Sequence, residues 1–228
     1  MNIWIDIFLV FLVLTNLLLL GSSRLAACIR LTALQGVILG VLTVLLQADQ
    51  VAPRALLLAA VSMAMKAGVF PWLLSRALRE VSVRREVEPF VSFNLSLLAG
   101  MLLLGASLWM GTRLPPPMRQ AETLVVPVAF FSILAGLFLV ISRKTALTQV
   151  LGYLVLENGI YTFGIALAYE QPLLVEMGVL LDLFVGVFVM GIIIFHISRE
   201  FDHIETDRLS TLRDSDTDVD PSWKDGNR

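Results

Sequence analysis

The chain has 228 residues, of which 57% are hydrophobic and 16% charged, with a formal net charge of −2 and a mean hydropathy of +0.82. This balance excludes an ordinary soluble domain, gives no basis for a nucleic-acid partner, and describes an all-α integral membrane protein in contact with lipid. One cysteine, Cys28, and two histidines, His196 and His203, exclude an intrachain disulfide and supply no ligand set for haem, a metal cage or an iron–sulfur cluster.

Hydropathy and turn residues divide the chain into about seven spans, each near or above the ~20 residues that cross ~30 Å of hydrocarbon. The first, over residues 2–20, follows no basic segment and precedes no small-residue cleavage site, so it reads as a retained helix and not a signal peptide. Gly21-Ser22-Ser23-Arg24 ends it, and a second span over 26–47 contains Gly36 and Gly40 in a GxxxG helix-packing pattern. Gln47 to Gln50 and Pro53 precede a third span over 54–78. The charged run Arg76 to Glu88 and Pro89 precede a fourth over 90–111. Pro115-Pro116-Pro117 cannot continue a helix and marks a joint between four helices and three. The expected organisation is a four-helix segment over 1–114, a proline-rich loop over 115–121, a three-helix segment over 122–199, with spans at 122–142, 146–169 and 173–198, and an acidic tail over 200–228.

Basic residues fix the expected orientation. Arg24, then Arg76, Arg79, Arg84 and Arg85, then Arg143 and Lys144, then Arg199 occupy alternate loops, against Arg54, Arg113 and Arg119 opposite. The N-terminus is therefore expected outside and the C-terminus in the cytoplasm. The tail, with Asp214, Asp216, Asp218 and Asp220 and almost no apolar residue after Leu212, has the composition of a disordered cytoplasmic segment.

Three charges lie deep in these spans: Lys66, Glu157 and Asp182. At 1.5 Å per residue, Glu157 lies about 17 Å and Asp182 about 14 Å from the start of their helices, and Lys66 about 18 Å from Arg54. An ionised group at the bilayer centre costs roughly 2.5–3.5 kcal/mol on insertion scales, so three at one depth point to an ion path or one buried cluster. Tyr153, Glu157 and Tyr161 recur at intervals of four on one helical stripe, as do Gly178, Asp182 and Gly186 on the next helix. The tyrosines can donate hydrogen bonds to the acid, and the glycines admit a close helix or water. An acid and a lysine at one depth can exchange charge state as a proton passes; the alternative is a static pair that fixes helix register. Asn16, Gln35, and Asn94 with Ser92 and Ser96 are expected as interhelical hydrogen-bond partners. Glu176 and His196, near a helix end, are expected to reach the interface.

No phosphate-binding glycine loop, nucleophile elbow, H-E-x-x-H or CxxC motif occurs, so hydrolase, ATPase and metalloprotease chemistry has no residues to perform it. A seven-helix receptor with a retinal on Lys66 competes weakly, because aromatics, at 9%, are too few to box a chromophore. A passive scaffold does not need midplane charges.

The segment from Gly152 to Gly159 (GYLVLENG), with Leu174 to Gly178, Asp182 and Leu209 to Leu212, resembles component E of hydrogenase-4, a membrane subunit of formate hydrogenlyase-type group 4 NiFe-hydrogenases. The resemblance extends to Lys66 and Pro71 and to Ser142-Arg143. The last three helices also resemble the K subunit of respiratory complex I and the C subunit of multisubunit sodium/proton antiporters. The resemblance implies a chain that is non-catalytic by itself, in the cytoplasmic membrane of a bacterium or archaeon. It would take part in proton translocation, with antiporter-like membrane subunits and peripheral hydrogenase subunits as partners. The nickel–iron centre and iron–sulfur clusters would belong to those partners, and no cofactor to this chain. In complex I two glutamates of this subunit help form the charged axis of the membrane arm; Glu157 would take the first role and Asp182, an aspartate where complex I has glutamate, the second. Lys66 finds its counterpart only in the hydrogenase component. The alternatives are a subunit of a sodium/proton antiporter-like complex and a scaffold that anchors the peripheral arm.

Overall fold

The computed structural model describes residues 3–46, 60–80, 90–113 and 124–167. These residues form helices throughout, with no strand among them: α1 Ile3–Gly21, α2 Leu25–Leu46, α3 over residues 60–80, α4 Phe93–Thr112, α5 Val125–Ser142 and α6 Ala146–Leu167. Four of them, α1, α2, α4 and α5, are long and apolar enough to cross a membrane. The proline-rich loop, the span expected over 173–198 with Gly178, Asp182 and Gly186, and the acidic tail lie outside the described residues.

Helix ends follow local chemistry. Gly21 closes α1 just before Ser22 and Ser23, and Ser92, in extended backbone, precedes α4. Pro127 occupies the first turn of α5, where its missing N–H interrupts no helical hydrogen bond. The third helix departs from regular geometry. Met65–Val69 is a π-helical turn in which Phe70 N donates to Met65 O, and Phe70–Glu80 then continues as α-helix. Pro71 supplies the physical reason. It cannot donate to the carbonyl four residues back, and its ring would crowd that carbonyl, so a widened turn just upstream relieves both defects. Lys66 sits on that turn.

Apolar side chains meet between α1, α2, α5 and α6: Ile5, Leu9 and Leu12 pack with Leu39, Leu42, Val128 and Ile165. Trp4, Phe11, Leu98, Leu102 and Trp109 remain exposed on α1 and α4, a distribution suited to lipid or a partner helix and not to water.

Without a hydrophobic driving force between helices in lipid, close approach depends on small residues. A Cβ on Gly152 would lie 2.8 Å from Leu139 Cβ and Val140 N, and one on Gly159 would lie 2.6 Å from Ile133 N, so the α5 and α6 backbones are in direct contact. Gly36 of the GxxxG pattern performs the same service for α2, since its Cβ would lie 2.8 Å from Lys66 Cβ and 2.9 Å from Ala67 N. Gly159→Ala is expected to destabilise the protein by about 1–3 kcal/mol, because backbone atoms of α5 must give way. Gly164→Ala on the same helix, where nothing lies within 4 Å, is the control. Thermal unfolding of the two variants in detergent checks this, and equal midpoints would contradict it.

Candidate functional site

Lys66 and Glu157 meet inside the helix bundle. Lys66 Nζ donates to Glu157 Oε1 at 2.5 Å, with Lys66 5% and Glu157 1% exposed. The π turn and Gly36 place the lysine, and α6 places the acid 11 residues after Ala146, about 17 Å along a helix about 33 Å long. The ammonium also donates to Asn158 Oδ1 at 3.1 Å and lies 4.4 Å from the centroid of the Tyr161 ring. A carboxylate, an amide oxygen and an aromatic face thus replace the water that a buried ammonium would otherwise lose.

Asn158 extends the site into a polar layer. Its Nδ2 donates to Gln35 Oε1 at 3.3 Å, and Gln35 Nε2 donates to Asn16 Oδ1 at 2.7 Å and Thr15 Oγ1 at 3.0 Å. Asn16 Nδ2 donates in turn to Ser132 Oγ at 2.8 Å. Five helices contribute, α1 with Thr15 and Asn16, α2 with Gln35, α3 with Lys66, α5 with Ser132, and α6 with Glu157 and Asn158. Each of these side chains is buried.

The sequence-based expectations divide at this site. Lys66 and Glu157, expected at one depth, form an ion pair, and Asn16 and Gln35 make the interhelical hydrogen bonds expected of them. Tyr161 contacts the ammonium through its ring, while its hydroxyl lies 3.2 Å from Thr43 Oγ1, so a bond to the carboxylate is not its role. Tyr153 is half-buried. Asn94 and Ser92 are exposed, and the Ser96 hydroxyl turns back to Ser92 O at 3.0 Å, so this trio does not join the polar layer. The α4 face that carries Asn94 points out of the bundle. Arg143, read from sequence as a loop charge, is buried: Nη2 donates to Leu20 O at 2.6 Å and the guanidinium lies 4.5 Å from the Phe93 ring centroid. It satisfies a carbonyl that the end of α1 leaves open and favours the negative end of that helix. Asn158 enters the sequence reading only as part of the GYLVLENG segment, with no role of its own, and Ser132 does not enter it. The adjacency of Asn158 to Glu157 was the available signal for the first, and Ser132 had none beyond being polar in an apolar helix.

Over 89% of its length the chain is 35% identical to the uncharacterized protein Rv0085 of Mycobacterium tuberculosis, and the match covers 93% of that protein. The chain belongs to the same family as that protein. Residues 124–214 match the family of NADH-ubiquinone/plastoquinone oxidoreductase chain 4L, a stretch that contains α5 and α6 and therefore Glu157 and Asn158. Hydrogenase-4 component E of Escherichia coli is 31% identical over 120 residues, 52% of this chain and 55% of that protein, and the Shigella flexneri component E aligns equally. The match thus spans about half the length of the hydrogenase relatives. No solved structure matches the chain. With four described helices long and apolar enough to cross a membrane and with these relatives, the chain is a multi-pass membrane protein. Lys66 lies outside the chain 4L region, on a helix N-terminal to it.

Proposed function

We propose that this chain is a non-catalytic membrane-arm subunit of a complex I-like assembly, a group 4 NiFe-hydrogenase of hydrogenase-4 or formate hydrogenlyase type. It crosses the cytoplasmic membrane seven times with its C-terminus inside. Its task is to pass protons, driven by redox chemistry in partner subunits, through Glu157 and Lys66, with Asp182 continuing the path. The nickel–iron and iron–sulfur centres belong to those partners.

The observation that carries this reading is the ion pair of Lys66 and Glu157, buried at the middle of α6 within the chain 4L region. A scaffold could hold its helices with apolar contacts of the same volume at no loss of stability, because desolvating two charges offsets most of their attraction. A pair that exchanges a proton has a reason to keep both charges. The test is isolation of the tagged chain from its native membrane in mild detergent. Antiporter-like membrane subunits and a nickel-binding large subunit are expected to co-purify, and recovery as a lone homo-oligomer would contradict the proposal.

A further inference from the structure

The amide groups beside Lys66 form a chain with only one allowed direction. An ammonium has donors and no acceptor, so Asn158 must turn its oxygen toward Lys66 and its NH2 toward Gln35. Gln35 must then present Oε1 to Asn158 and its own NH2 to Asn16 and Thr15. Asn16 likewise turns its NH2 to Ser132. The far end makes the same demand. The Ser132 hydroxyl is donated to Val128 O at 3.0 Å and that of Thr15 to Leu12 O at 2.9 Å, so both can only accept from the amides. A donor-only group closes one end and main-chain carbonyls, which are acceptors only, close the other. Three amide dipoles are therefore aligned head to tail with their oxygens toward Lys66, and such chains polarise one another in a low-dielectric interior.

We propose that Gln35 and Asn16 are positioning residues for the ion-carrying step: with Asn158 they form a one-way amide chain that holds the proton on Lys66 and sets the pH range in which the Lys66–Glu157 pair exchanges it. The inference rests on the ion-carrying role given above. Loss of the proton turns Lys66 into an amine that could accept a hydrogen bond, but reversal of the chain is opposed by the Val128 and Leu12 carbonyls at its far end. Glu157 and Tyr161 on α6 are titratable groups that face Lys66. α2 meets it with Gly36, and the remainder of the layer is neutral amide and hydroxyl.

The test compares two substitutions of Gln35 in the assembled complex, reading the pH profile of proton translocation in sealed vesicles. Gln35→Met keeps volume and releases Asn158. The protonated lysine loses its aligned acceptor, so the alkaline limb of the profile moves to lower pH by about one pH unit, a tenfold change in proton affinity. Gln35→Glu keeps the acceptor for Asn158, and the protonated acid, the form that can still donate to Asn16, adds no charge, so the limb stays near its wild-type position. A shift in Gln35→Met alone is expected; an unchanged limb in Gln35→Met, or the same shift in both variants, would overturn the inference. Because either variant could fail to assemble, the native protein in its membrane provides a second measurement. In pH-difference infrared spectra, side-chain amide carbonyl bands are expected to change with the same midpoint as the carboxylate band, and amide bands that stay constant while the carboxylate titrates would overturn the inference. Wild-type translocation by Glu157→Gln would instead defeat the ion-carrying role itself, so the two failures are distinguishable.

Discussion

Lys66→Met is expected to cripple proton translocation and to lower stability, and a second substitution, Glu157→Gln, is expected to restore much of the stability without restoring transport. Methionine matches the length of the lysine stem but leaves Glu157, 1% exposed, without its ammonium. Breaking a buried pair from one side costs about 3–5 kcal/mol when the remaining charge stays ionised. The carboxyl escapes part of that cost by taking a proton, and it then no longer cycles between two charge states. Glutamine in its place removes the charge altogether, so the double variant should unfold at a higher temperature than Lys66→Met alone. Unfolding midpoints of the wild-type, the two single variants and the double variant provide the check. Destabilisations that simply add would mean that the two side chains are not energetically coupled, in spite of their 2.5 Å contact.

Much of this architecture is written in hydropathy. Long apolar runs bounded by Gly21, by the charged segment after α3, and by Ser142-Arg143 give the positions of the described helices to within a few residues, except that the described part of α3 begins at residue 60. The need of Lys66 for a counter-charge at its own depth is also legible, but the sequence leaves both Glu157 and Asp182 open, and the direct contact with Glu157 comes from the structure. Helix rotation was not legible. The helices α1 and α4 are apolar on every face, so no periodicity shows which way Asn94 or Asn16 turns, and the two asparagines met opposite fates, one exposed and one buried. The π turn at Lys66 had a signal in Pro71, but a proline in a helix is equally compatible with a kink, and only the structure distinguishes them. Gly152 and Gly159, seven residues apart, mark the α5–α6 seam, yet small residues at that spacing gain meaning only once the partner helix is known. Arg143 illustrates the opposite error: a charge beside a span boundary reads as solvated, while here it serves the carbonyl of Leu20 from a buried position. The roles expected of Asp182, Gly178 and Gly186 fall outside the described residues.

Glu157→Gln tests the central claim most directly. The amide keeps the length and shape of the carboxylate, and its oxygen can still accept the hydrogen bond from Lys66 Nζ, so the helices are expected to assemble and the complex to form. What the substitution removes is the group that binds and releases a proton. Positioned proton transfer groups typically contribute factors of ~10²–10⁴ to the steps they serve, so translocation per redox turnover should fall to about a tenth or less, while electron transfer in the partner subunits continues. The measurement is proton movement across sealed vesicles during redox turnover, at matched content of wild-type and Glu157→Gln complex. Severely reduced translocation with the complex intact is the predicted result; a wild-type ratio of protons to turnovers would contradict an ion-carrying role for Glu157 and leave the buried pair as a fixture of helix packing.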